Sequence, residues 1–406
     1  MGRDRWPVAV LVAVPLAAFV VPALLGHPAV AGDNAIQNFP LRALVGRDVA
    51  HGQLPLWDPY LWSGTPLLGG LNAGAAYPLT FAFAVLPPVA AWVAGLLVVY
   101  WAAGLGMYVL VRQLGARPAA ALPAALTYAY AGAMAGQMVH LGVVQGMAWV
   151  PWLLLAEIRL AAAVLDRRGS PWPWVALLAV TVGLVVLTGE PRVMVEVEVV
   201  GAVAALWLVA RRGPHGARRR LALAGLTVLG AAWGAAIAAV QVVVGWGFIN
   251  ASQRADEPYR FFGSGSLRPA WTALLLVPDL FGGDGILHQP AYFFRYNLAE
   301  VTGYVGLVPL VAVAGLLVAR RGREWVPWLL LAALGLVLAW GSFTPLGHVL
   351  VHVPLLGKTR LQSRNLGITD LGLAVLLGLW AERALGTDPG SAGLGPGRRW
   401  VAAVPA

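Results

Sequence analysis

Cysteine is absent from the 406 residues, which rules out a disulfide framework and a thiolate metal site. Charge is scarce. Asp, Glu, Lys and Arg make up 11% of the chain, less than half of the roughly 25% usual in soluble domains. Lysine occurs once, at Lys358. Apolar side chains take the place of charge, at 59% of residues with a mean hydropathy of +0.73. A water-soluble domain is excluded, and the chain reads as one polytopic membrane domain. The net charge of +10 invites a nucleic-acid reading, but the positions of the charges point elsewhere.

Ten apolar stretches are long enough to predict spans of an all-α bundle. They run Trp6–Leu25, Ala90–Val111, Ala119–Met134, Val143–Ile158, Trp174–Leu187, Val193–Val209, Leu221–Trp246, Val305–Val318, Trp325–Trp340 and Leu366–Trp380. The first follows Arg3 and Arg5, and it is too long for a signal-peptide core, so a retained anchor is expected. Leu79–Leu86 reads as a short interfacial piece stopped by Pro87-Pro88. With the N-terminus in the cytoplasm, 18 of the 28 basic residues fall in the cytoplasmic segments. The basic balance is therefore a topology signal of the positive-inside kind, and no nucleic-acid partner is expected. Carboxylates take the other side. Asp33, Asp48, Asp58, Glu190, Glu196, Glu198, Asp256, Glu257, Asp279, Asp284 and Glu300 all fall on or near the outer face.

The expected domain runs over 1–386, with outer loops at 26–78, 248–300 and 342–365. Residues 387–406 read as a Gly/Pro-rich linker. Its last part, from Arg398, resembles the start of a further span, as in a truncated product. The first outer loop holds three aspartates and is dense in Gly, Pro, Trp and Tyr, which suits a folded surface. It is the expected floor of an outward-facing site.

Several segments carry a family resemblance, in order along the chain. They are Asp33 and Gln37 after the first span, PLWDPYLWSGTP, NAGAAYPL, AGLGMYVLVRQLG, the YAYAG stretch through His140 to AWVPWLLL, LTGEPR, Gln241–Arg254 and TRLQSRNL. Together they resemble YfhO-type bacterial membrane proteins, within the wider GT-C group of membrane glycosyltransferases. The resemblance implies an inverting, outward-facing enzyme of the bacterial cytoplasmic membrane. It implies a polyprenyl-phosphate-linked sugar donor, an envelope glycan, teichoic acid or lipid acceptor, and an acidic base in the first outer loop. This chain stops earlier than longer relatives, which puts acceptor recognition in doubt.

The chemistry also stands on the residues. Sugar transfer from a lipid phosphate needs a base for the acceptor hydroxyl and cations for the leaving phosphate. Asp33, where the first span meets water, is the candidate base; the plain alternative is a turn or capping carboxylate. Asp58, before Pro59, is more a turn residue than a ligand, and Asp48, beside Arg47, suits a solvated helix face. Arg360 and Arg364, with Lys358, are the candidate phosphate clamp, because Arg offers a planar fork; the alternative is interfacial anchoring. Glu190 and Arg192 read as substrate-binding residues or as a simple surface ion pair. The spacing of Glu196 and Glu198 puts them on different helix faces. Gln37, and His140 with Gln137, are candidates for acceptor binding, although a lone His is more often an ordinary hydrogen-bonded one. Trp57, Tyr60, Trp62 and Tyr77 suit sugar stacking or an interfacial belt. A divalent cation is the one cofactor the second-loop group of Asp256, Glu257, Asp279, Asp284 and His288 would suit, without a fixed ligand spacing. The competing class is a lipid-linked glycan transporter or an envelope assembly protein. A transporter would carry ionisable groups near the midplane on broken helices, whereas here they gather at the outer rim.

Overall fold

The computed structural model describes residues 4–211, 216–252, 259–283, 290–293, 296–319, 322–353 and 356–386. Twelve helices carry the architecture: α1 Arg5–Leu24, α2 Phe39–Ala50, α3 Pro88–Gln113, α4 Pro118–Tyr130, α5 Leu141–Leu165, α6 Trp172–Leu187, α7 Pro191–Arg211, α8 Ala217–Ile237, α9 Ala239–Asn250, α10 Leu307–Ala319, α11 Val326–Trp340 and α12 Leu366–Leu385. Among the described residues the only strands are β1 Trp57–Asp58 and β2 Thr65–Pro66, an antiparallel pair with Asp58 opposite Thr65. Six helices are long and apolar enough to cross a membrane, namely α1, α3, α5, α7, α8 and the helix from Val326. The chain is an all-α membrane protein. Prolines open several helices, Pro88, Pro118 and Pro191 among them. That is where a missing N–H and a fixed φ do no harm.

All ten predicted spans are helical, with two corrections. Leu221–Trp246 is not continuous, since α8 ends at Ile237 and α9 starts after Ala238. Ala119–Met134 breaks after Tyr130, where Ala131 is extended and Gly132 has φ +54°, and a one-turn helix resumes at Gly132. A side chain at Gly132 would collide with the Asp370 carboxylate, which accepts a 2.6 Å hydrogen bond from Ala133 N. The break is thus held by a carboxylate from α12. Residues 366–378 of α12 are buried throughout, with α4, α10 and α11 packed around them. Pro78–Ala84 forms the short helix expected before Pro87.

The two ends of the bundle differ. At one end Asp4 takes hydrogen bonds from Tyr108 Oη and Arg112 Nε at 2.5 and 2.9 Å. At that end too Arg117 grips Glu382 at 3.1 Å and Arg383 meets Glu324 at 3.2 Å. Three of the predicted cytoplasmic Arg, Arg112, Arg117 and Arg383, are thus ion-paired at one end. The long loops cover the other.

Candidate functional site

The loop after α1 is tied to the start of α5 by Asn34. Its Oδ1 accepts from Leu141 N at 3.2 Å and from Asn38 Nδ2 at 2.9 Å, while its Nδ2 donates to Met138 O at 2.7 Å. This tie brings Asp33 to His140. Asp33 makes no capping bond to the helix it precedes, so the capping reading fails. Its half-exposed carboxylate lies 3.3 Å from His140 Nε2.

His140 is oriented from behind. Gln137 Nε2 donates to Ala299 O at 2.7 Å, which turns its Oε1 toward His140 Nδ1 at 2.8 Å. Nδ1 therefore carries the proton, and Nε2 faces Asp33 and, at 3.7 Å, Glu300 Oε1. Burial and the Arg364 charge hold His140 below its ordinary range, against the opposing pull of Glu300, Asp33 and Glu190. The neutral ring points a lone pair at a carboxylate. Both atoms are then acceptors side by side in the cavity wall.

A cavity of about 620 Å³ opens beside this pair, within the usual size of a ligand site. Its wall gathers Asp33, Gln37, His140, Glu190, Arg192, Lys358, Arg360 and Arg364. Eight of the ten candidate residues thus meet in one place. Trp57 and Asp58 do not. Asp58 Oδ1 accepts from Tyr60 N at 2.8 Å in a turn, and it lines a separate groove of about 340 Å³ that shares Gln37. Trp57 packs over Gly64, where any side chain would collide with its ring. Tyr60 and Trp62 are exposed and Tyr77 is buried in the core, so none of the four aromatics stacks in the cavity. Trp246 and Phe248 of α9 line it instead.

Two candidates change role. Glu190 and Arg192 do not pair with each other. Arg364 donates Nε and Nη2 to Glu300 at 2.8 and 2.7 Å, and Nη1 reaches Glu190 at 3.4 Å. Three of its five N–H donors face protein carboxylates, so Glu300 and Glu190 fix Arg364 in the cavity wall. Burial raises the Glu300 carboxyl, but the hydrogen bonds and charge of Arg364 outweigh it and hold the group below its ordinary range. For Arg364, burial is likewise outweighed, by Glu300 and Glu190, and the guanidinium is held above its ordinary range. Arg192 is 3% exposed and donates Nη1 to Thr359 Oγ1 at 3.0 Å. Lys358 and Arg360 are exposed at the cavity rim, with the Arg360 guanidinium over the Phe261 ring.

Several contributors escaped the sequence reading. Glu300 was one outer carboxylate among many, and nothing in its surroundings along the chain marks it. Arg42 is buried on α2, bound among the described residues to Asn72 O at 3.3 Å and Gln145 Oε1 at 3.0 Å. Burial lowers it to about 10. Asn34 was legible only as part of GDNAIQN. The expected gathering of ionisable groups at the rim also needs correction, because Glu157, Glu196 and Asp370 are buried within helices. Glu196 is buried and Glu198 exposed, as their spacing requires. Among the described residues no three His, Asp or Glu side chains converge as a metal site. Asp279 is exposed, and Asp256, Glu257, Asp284 and His288 lie outside the described residues.

No family model, curated protein or solved structure matches the chain.

Proposed function

We propose that the chain is a membrane glycosyltransferase acting on a polyprenyl-phosphate-linked sugar, with its cavity on the outer face of the bacterial cytoplasmic membrane. The observation that carries this reading is the polarity of one cavity. A proton-accepting pair, Asp33 and His140, stands in the same wall as an exposed basic rim, Lys358 and Arg360. The resemblance to YfhO-type proteins of the GT-C group points to the same chemistry. The acceptor hydroxyl attacks the anomeric carbon, the bond from that carbon to the phosphate oxygen breaks, and the configuration inverts. The hydroxyl proton passes to Asp33, with His140 Nε2 sharing it, and the electron pair leaves on the lipid phosphate beside the basic rim. The acceptor is an envelope glycan, teichoic acid or lipid.

A transporter of lipid-linked glycans is the second reading. Glu157, Glu196 and Asp370 inside the bundle, with the broken helix at Ala131, are the features that favour it. The deciding experiment is transfer from a synthetic polyprenyl-phosphate sugar in detergent. Asp33→Asn keeps the shape and removes the base, so turnover should fall by about 10²–10⁴ while donor binding survives. Asp58→Asn, which keeps an oxygen for Tyr60 N, should retain the parental rate. If Asp33→Asn transfers at the parental rate, the base assignment is wrong. If the parent transfers nothing but moves the intact lipid across vesicles, the transporter reading replaces the enzyme.

A further inference from the structure

Arg192 is held unlike the other arginines that line the cavity. Arg364 is paired with Glu300 and Glu190, and Arg360 is exposed over an aromatic ring. Arg192 is buried, yet Nε and Nη2 have no hydrogen-bond partner among the described residues. Its one bond is to Thr359 Oγ1, whose own proton goes to Leu356 O at 2.8 Å. Glu196 lies one turn further along α7, but no ion pair forms between them, and Glu196 Oε1 is itself without a partner. A buried guanidinium without a bonded counter-charge is costly, and the missing partner is expected to be an anion.

The position of Arg192 places that anion in the cavity. Arg192 sits in the wall at the first turn of α7, a 21-residue helix whose N-terminal end lines the cavity through Glu190, Pro191 and Arg192. The helix dipole there favours negative charge. An apolar stretch of the wall is formed by Trp246, Phe248 and Ile249 of α9. The same helix leaves Val240, Val243 and Trp246 exposed, so an apolar chain lying along α9 would pass from the cavity to the lipid-facing surface.

We infer that Arg192 binds the phosphate of a phosphate ester whose apolar chain runs along α9. This rests on the proposed donor chemistry, and it moves the phosphate from Arg364 to Arg192.

The test is binding of radiolabelled polyprenyl phosphate, without sugar, to the full chain in lipid nanodiscs. Unlabelled polyprenol and inorganic phosphate serve as competitors. Polyprenyl phosphate should bind, polyprenol should compete poorly, and Arg192→Gln should weaken binding about 10–100-fold, the loss expected for hydrogen bonds to a charged group. Because Arg192→Gln leaves Glu196 buried alone, Arg192→Gln/Glu196→Gln is the folded control, checked by size exclusion. It should show the same loss, and Arg360→Gln a smaller one. Binding by the folded double variant within a factor of three of the parent overturns the assignment. Polyprenol competing as well as its phosphate also overturns it. Inorganic phosphate competing as well as the lipid overturns the tail and leaves a free-phosphate site. Parental binding that Arg192→Gln weakens, with no sugar transfer, removes the glycosyltransferase reading and leaves the anion site standing.

Discussion

Glu300→Gln should destabilise the protein strongly, through Arg364 and not through catalysis. The two side chains are 6% and 8% exposed and meet through two hydrogen bonds of 2.8 and 2.7 Å. Removing one partner of a buried pair costs about 3–5 kcal/mol, because the other is left desolvated and uncompensated. Glu190, 3.4 Å from Arg364 Nη1, softens the loss, so the lower end, about 3 kcal/mol, is expected. In a 406-residue chain that is a fall of about 3–4 °C in melting temperature. The pair that removes both charges, Glu300→Leu with Arg364→Met, should be close to the parent, because an apolar replacement of a buried ion pair is often neutral. The pH dependence has a defined sign. The Glu300 carboxyl is depressed in the folded state. Its contribution is therefore full above the ordinary value of 4.5 and lost as pH falls through the lower folded value. Glu300→Gln should flatten this acid limb. Fluorescence-detected size exclusion after heating, over a series of pH values, reads both effects. If Glu300→Gln melts within 2 °C of the parent, or if the double variant is the worse of the two, the pair does not hold the site together.

Two further outcomes follow from the geometry. Gly132→Ala combines an unfavourable positive φ with a collision against Asp370, and it should cost about 2–4 kcal/mol. The same heating assay checks it, and parental stability would mean that the helix break is not held as described. His140 is depressed in the folded state, so its neutral form persists below the ordinary 6.5. The acid limb of the transfer rate should therefore lie below that value, and His140→Gln should remove the part due to the ring. A limb above 6.5 would contradict the neutral ring.

The sequence by itself determined the class and the helices. Apolar runs flanked by Arg need only local composition to be read, because each must satisfy its own backbone in lipid. The Arg bias predicts which segments share an end of the bundle, since a span count alternates ends without knowledge of packing. Boundaries were less legible. The break at Ala131 depends on Asp370, contributed by a distant helix, and α8 and α9 carry one apolar run across a kink.

The cavity was legible as a set of polar residues in outer loops but not as a set of roles. Asp33 stands out by its place where the first span meets water, and Arg364 by its planar fork in an outer loop. Which guanidinium is paired with carboxylates and which is left open depends on partners 64 residues away for Arg364 and 167 for Arg192. No local pattern encodes such pairs, because a loop carboxylate looks the same along the chain whether it meets an arginine or water. Only packing the loops over the bundle decided that Glu300 takes Arg364 and that Arg192 keeps two donors unbonded.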